Sequence, residues 1–316
     1  MIVIAIICCG PPAYGQSEWP HARPIKIIVP FTPGSGTDVV ARLIGEKLGA
    51  ALGATVVVDN RPGAGGTIGA ALVAKAPADG YTLLVHSAGH VVNPAIYPNL
   101  SYDTLKDFSG VAPLASLPNV LVTAPDKFKD VGDLVARAKA NPGALNYASA
   151  GNGSATHMNA EVFRHAAGID AQHVPFKGTP EAMTETMTGR VDWLFAPMVS
   201  CLSLVKDGRL KALAVGTAHR SAALPNVPTT VEAGVPNSEY LFWVGMFVPS
   251  KVPRAVIDRL HAEVARIQSQ TEVIDSLEKL GAEPMSMSPG AFDQFVADQS
   301  MKAQQIVRAA GIKVDK

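Results

Sequence analysis

The feature that most restricts the fold is an alternation that begins at Arg23: a short apolar, β-branched run, a glycine-rich turn, then apolar residues at helical spacing. A strand followed by a helix, repeated, builds βαβ units, and continuous apolar strands need cover on both faces, as in largely parallel sheets. Residues 25–30 read as a strand, and Val39, Val40, Leu43, Ile44, Leu48 and Leu52 then fall on one helical face. Val56-Val57-Val58 and residues 81–85 repeat the strand theme, with a helix near 67–76 between them.

A second series starts after Pro118. Residues 120–123 read as extended and 131–140 as helical, stopped by Asn141-Pro142-Gly143. Strands are expected at 145–149, 173–176, 191–195 and 210–215, with helices at 156–167 and 180–188. Residues 242–249 read as extended and lead into a helix over 253–270. A last helix is punctuated by Ser288 as N-cap, Pro289 at the first helical position and Gly311 as stop. The expected architecture is α/β with two lobes, residues 22–120 plus 243–316 forming the first and 121–242 the second. Extended crossings near 119–125 and 242–249 would join them as a two-strand hinge.

The 316 residues suffice for two such lobes. Basic and acidic residues balance at 27 each with no block of like charge, which argues against a nucleic-acid partner or a polybasic membrane anchor. Ile2 to Cys9 is an apolar run closed by Gly10-Pro11-Pro12, and Ala13-Tyr14-Gly15 suits cleavage after Gly15, so residues 1–15 are expected to be an export signal. No Lys or Arg precedes Arg23, so the basic n-region of such a signal is expected upstream of a truncated start. The run is shorter than the roughly 18 apolar residues of a membrane span, and a soluble periplasmic protein is expected. Cys8 and Cys9 fall in the signal, leaving Cys201 without an intramolecular partner.

Three glycine-rich loops sit where strands hand over to helices: Pro33-Gly-Ser-Gly-Thr-Asp38, Arg61-Pro-Gly-Ala-Gly-Gly66 and Ser149-Ala-Gly-Asn-Gly-Ser154. Ligands of open α/β sheets bind at that edge, and helix N-termini there carry about half a positive charge. Several in one cleft would hold a carboxylate without arginine. None of the loops has the third glycine or the lysine of a nucleotide fingerprint. Asp38 reads as a loop cap at a helix start ahead of a contact for a ligand ammonium. Ser154 and His157 invite a nucleophile-and-base reading, but Ser154 fits better as an N-cap and the segment departs from G-x-S-x-G. His90, His157 and His173 lack metal-ligand spacing, so no metal and no cofactor is expected. Lys177 is read equally as a surface lysine or as a cation at the cleft edge.

Taken together, these loops resemble the solute receptors of tripartite tricarboxylate transporters, the Bug or TctC-type proteins. The resemblance is carried by Arg23-Pro-Ile-Lys-Ile-Ile-Val-Pro-Phe31 with Pro33-Gly34 and Asp38, by Asn60-Arg-Pro-Gly-Ala-Gly-Gly66, and by Asp79-Gly-Tyr-Thr-Leu-Leu84. His90, Asn93-Pro94 and Tyr97 follow, then Gly151-Asn-Gly-Ser154 with His157, His173-Val-Pro-Phe-Lys-Gly178 and Leu224-Pro-Asn-Val-Pro-Thr229. It implies a type II periplasmic-binding-protein fold with a ligand cleft between the lobes, and no catalysis. Carried over by position, it implies ligand contacts from Phe31, Thr32, Gly34, Ser35 and Asp38, with Ser87, Ala88 and His90 at a second rim. From the other lobe it implies Ser149, Gly151, Asn152, Ser154, Lys177, Ala196, Pro197 and Met198. The family commonly reads Pro-Gly-Gly where this chain has Pro33-Gly34-Ser35, so a hydroxyl enters the first loop. The implied ligand is a di- or tricarboxylate, an amino acid or an aromatic acid. The implied partners are integral-membrane permease subunits, with a sensor kinase or a Ser/His hydrolase as rival readings.

Overall fold

The computed structural model describes residues 19–309 and 311–312; the expected export signal lies outside them. The chain first builds β1 (Ile25–Val29), α1 (Gly36–Leu52), β2 (Val56–Asn60), α2 (Thr67–Ala74), β3 (Thr82–Ser87), α3 (Gly89–Ile96) and β4 (Phe108–Ser116). It then forms β5 (Asn119–Thr123), α4 (Val131–Ala140), β6 (Asn146–Ser149), α5 (Ala155–Ala167), β7 (Gln172–Pro175), α6 (Thr179–Met187), β8 (Trp193–Pro197), α7 (Met198–Lys206) and β9 (Lys211–Val215). The last part holds β10 (Trp243–Pro249), α8 (Arg254–Gln268), α9 (Thr271–Lys279), β11 (Glu283–Pro284) and α10 (Pro289–Ala309).

The strands form two sheets, one ordered β11-β4-β10-β3-β1-β2 and the other β7-β6-β8-β5-β9. In the first, β1 runs parallel to β2 and β3 while β10 is antiparallel to β3 and β4. In the second, β6 is parallel to β7 and β8 while β5 is antiparallel to β8 and β9. Each lobe is therefore mixed, the antiparallel pairs arising where the chain crosses between lobes.

Alternation along the second sheet divides its core in two. Leu121, Tyr147, Trp193 and Phe195 face α4 and α5, while Val120, Val122, Leu194 and Ala196 face α6 and α7. The strands are apolar on both faces because helices cover both, the condition inferred from their sequence.

The crossings are residues 116–119 and 240–243, which run side by side: the N–H of Leu117 donates to the carbonyl of Phe242 at 2.8 Å. The stretches expected to cross, 119–125 and 242–249, instead enter one sheet each as β5 and β10. Among the described residues no helix is long and apolar enough to cross a membrane.

Candidate functional site

β1, β3, β6 and β8 all end at the boundary between the lobes, and the residues that follow or finish them, Phe31, Ser87, Ala150 and Pro197, line one small space. Its other walls are the first residues of three helices: Gly36 and Thr37 of α1, Ala155 and Thr156 of α5, and Thr179 of α6. Ser35, Ser154 and Phe242 complete it, leaving a cavity of about 10 Å³, room for about one water in this arrangement. Among the described residues that line it, none carries a charged side chain.

The donors are therefore backbone and hydroxyl groups. The first N–H groups of a helix have no intrahelical acceptor, and those of α1, α5 and α6 converge here. Ser154 caps α5 by accepting from the His157 N–H at 3.2 Å, leaving the Ala155 and Thr156 N–H groups without that cap. Two buried hydroxyls on the wall, Ser87 Oγ and Thr179 Oγ1, each 1 % exposed as residues, have no hydrogen-bond partner among the described residues. Neutral donors of this kind favour an anion, each helix terminus by ~0.3–1 kcal/mol and up to ~2 in partly buried geometry.

The two lobes touch around this space. Thr32 Oγ1 donates to Glu181 at 3.0 Å, Tyr97 OH to the Asn152 carbonyl at 3.0 Å, and Ser200 Oγ to the Gly34 carbonyl at 3.2 Å. The Thr179 N–H reaches Ser35 Oγ at 3.3 Å. The molecule is thus in a closed arrangement.

Of the residues named from the sequence, Phe31, Ser35, Ser87, Ser154 and Pro197 stand on the wall. Ser149 and Gly151 lie behind it: the Gly151 N–H donates to Ser149 Oγ at 3.0 Å, which in turn pairs with His173 Nε2 at 2.6 Å. Asp38 is 1 % exposed and holds the first loop, accepting from Gly34 N–H at 2.9 Å, Asn60 Nδ2 at 2.8 Å and Arg42 Nε at 2.9 Å. Thr32, Gly34 and Asn152 serve the interlobe contacts just given. Ala88 and Ala196 are buried in backbone pairings, the Ala88 N–H on the Trp243 carbonyl. His90 is fully buried among Tyr102, Phe108 and Phe247, and Met198 is fully buried with its sulfur beside Ser221. Lys177 is exposed and off the wall.

The sequence reading missed Gly36, Thr37, Ala150, Ala155, Thr156, Thr179 and Phe242 on the wall. Five of them open helices, and Thr179 followed by Pro180 is a helix-start signal. The nucleophile-and-base arrangement is not assembled: His157 Nδ1 accepts from the Gly153 N–H at 3.1 Å, so the ring is turned to the loop, and among the described residues no base meets Ser154. Burial holds the imidazole of His157 down to about 4 and that of His173 down to about 2, so both are neutral near pH 7.

Solved structures share this architecture over nearly their full length. The periplasmic binding protein BugD is 31% identical, with a TM-score of 0.88 covering 92% of this chain and 99% of BugD. R. palustris Rpa4515, solved with adipate, is 34% identical with a TM-score of 0.90, covering 94% of this chain and 99% of that one. MatC (Rpa3494) from Rhodopseudomonas palustris, solved with bound malate, is 33% identical with a TM-score of 0.86, covering 90% and 99%. The sequence profile described as tripartite tricarboxylate transporter family receptor matches residues 40–312. With two α/β lobes of the periplasmic-binding-protein type and that match, the chain belongs to the tripartite tricarboxylate transporter receptor family.

Proposed function

We propose that this protein is a periplasmic receptor that closes its lobes, taken as 22–120 with 243–316 and 121–242, around a small organic carboxylate and presents it to integral-membrane permease subunits. The observation that carries the reading is the interlobe space walled by the N-termini of α1, α5 and α6 with no charged side chain among its described lining residues. A carboxylate there is held by fixed N–H dipoles and by the hydroxyls of Ser87 and Thr179. The adipate and malate held by two relatives lend support to this ligand class. Ligand that bridges both lobes favours the closed form because only that form satisfies both sets of donors.

The test is thermal denaturation with malate, adipate, citrate, glutamate and benzoate, each added separately. At about 100 times Kd, one of them should add roughly 2.7 kcal/mol, raising Tm by several degrees. An unchanged Tm with every acid, alongside a rise with a cationic or neutral solute, would overturn the carboxylate assignment.

A further inference from the structure

We infer that a second cavity, on the far side of the loop 149–154 from the interlobe space, is a binding site for a small oxyanion of the inorganic phosphate or sulfate kind. The inference does not rest on the carboxylate reading above.

The loop divides two spaces. Ala150 and Ser154 line the one between the lobes, whereas the Gly151 and Gly153 N–H groups are directed at Ser149 and His157 behind them. Behind the loop lies a cavity of about 450 Å³ whose walls include Tyr147, His157, Glu161, Arg164, Asp170 and His173. His157 is 4 % exposed, and its Nε2 has no partner among the described residues. Nδ1 of His173 has none there either.

A count of hydrogens decides what these two nitrogens offer. Both rings are neutral near pH 7, since burial lowers His157 to about 4 and His173 to about 2. His157 Nδ1 accepts from the Gly153 N–H at 3.1 Å, so the one hydrogen of that ring is on Nε2. Ser149 Oγ accepts from the Gly151 N–H at 3.0 Å and lies 2.6 Å from His173 Nε2. Ser149 is fully buried, and among the described residues that nitrogen is the acceptor its hydroxyl hydrogen can reach. The hydroxyl therefore donates, and the hydrogen of His173 is on Nδ1. The stacked rings thus offer the cavity two N–H donors, and a cation meets hydrogens in place of lone pairs.

The neighbouring charges favour the same sign of ligand. The Glu161 carboxylate accepts from the Tyr147 hydroxyl and from Nε and Nη2 of Arg164, both at 2.9 Å, so its own charge is matched. Arg164 Nη1 has only Asp170 near it, at 4.0 Å, beyond hydrogen-bond reach, and the Asp170 side chain is 66 % exposed. Three donors of one cavity are therefore uncommitted: the N–H groups of His157 Nε2, His173 Nδ1 and Arg164 Nη1. A tetrahedral oxyanion has an oxygen for each, and charge-assisted bonds of this kind are the stronger ones.

Isothermal titration with inorganic phosphate and with sulfate, on the whole protein and on its Asp170→Asn and Gln172→Glu variants, tests this, with nitrogen NMR of the imidazoles as the positional readout. Gln172 lines the same cavity and, like Asp170, is exposed, so both changes leave the core alone; thermal unfolding beforehand checks each fold. Saturable binding is expected, with the His157 Nε2 and His173 Nδ1 signals shifting as the site fills. Asp170→Asn should tighten binding about three-fold and Gln172→Glu should weaken it about three-fold, the size expected of one unit charge nearby in partly screened water. Binding of neither anion overturns the assignment. Binding that is equal in all three proteins, or that leaves both imidazoles unmoved, places the ion elsewhere and overturns it as well.

Discussion

His157 is an acceptor whose charge state the binding loop depends on. Its Nδ1 takes the Gly153 N–H at 3.1 Å, and its ring stacks on His173 with centroids 4.1 Å apart. His173 Nε2 in turn meets the Ser149 hydroxyl that receives the Gly151 N–H. A proton on His157 Nδ1 would remove that acceptor from a loop held at φ 109° and 75° by Gly151 and Gly153. Burial is the main cause that lowers the His157 pKa; Glu161 opposes it and Arg164 reinforces it, with Tyr147 and His173 as the packed neighbours. Because the folded-state value lies near 4 and the unfolded one near 6.5, the unfolded chain binds more protons between them. Stability is full above pH 6.5 and falls as the pH drops towards 4, by on the order of 3 kcal/mol from this group. Urea midpoints measured from pH 7 to pH 4.5 should decline, and His157→Asn, which keeps an acceptor without the titration, should flatten the decline. At this scale Ser154 was legible as an N-cap. The partner of His157 was not, because it is the backbone of a loop whose left-handed path has no sequence period.

Elements were most legible where an end carried its own signal. Asp130 accepts from the Asp133 N–H at 2.9 Å and opens α4 at Val131, where its helix was read from sequence. Asp130→Ala should cost about 1 kcal/mol in denaturant unfolding. Ser288 and Pro289 likewise mark the start of α10, the Ala291 N–H reaching Ser288 Oγ at 3.3 Å. β4 was not read as a strand, because Gly110 and Pro113 interrupt its pattern. The sheet absorbs both through register shifts against β10, where Gly245 pairs with Pro113 and Phe247 with Gly110. Gly110 also lies under the Phe292 ring, where a Cβ would come within 2.6 Å of Cδ1. Phe292 is fully buried against Trp243 and Phe247, so Phe292→Ala should cost about 3–5 kcal/mol, read as a lower urea midpoint with an unchanged slope. α3 and α7 escaped the reading for a related reason: Pro94 breaks the helical pattern of one, and the other begins directly after Pro197.

The division into two lobes was legible across the molecule, but the way they meet was not, since much of the contact is made to loop backbone that carries no sequence period. A Cβ on Gly65 would overlap the Asn152 carbonyl, and one on Gly89 would lie 2.9 Å from the Gly153 carbonyl. Gly178 is the cleanest probe, because a Cβ there would overlap Thr32 Oγ1 while its extended backbone, φ −172°, accepts any residue. Gly178→Ala should leave the melting temperature of the free protein nearly unchanged, shift small-angle scattering towards an open form, and weaken ligand binding at least ten-fold. Equal scattering and equal affinity in the two proteins would show that closure tolerates the extra methyl.

The amide-walled cavity has a consequence for how such a receptor changes over generations. Three helix starts provide the attraction for negative charge, and every amino acid except proline keeps the amide hydrogen that does so. Point substitutions of the side chains on the wall can therefore resize or reshape what is captured while the contribution of the main chain stays in place.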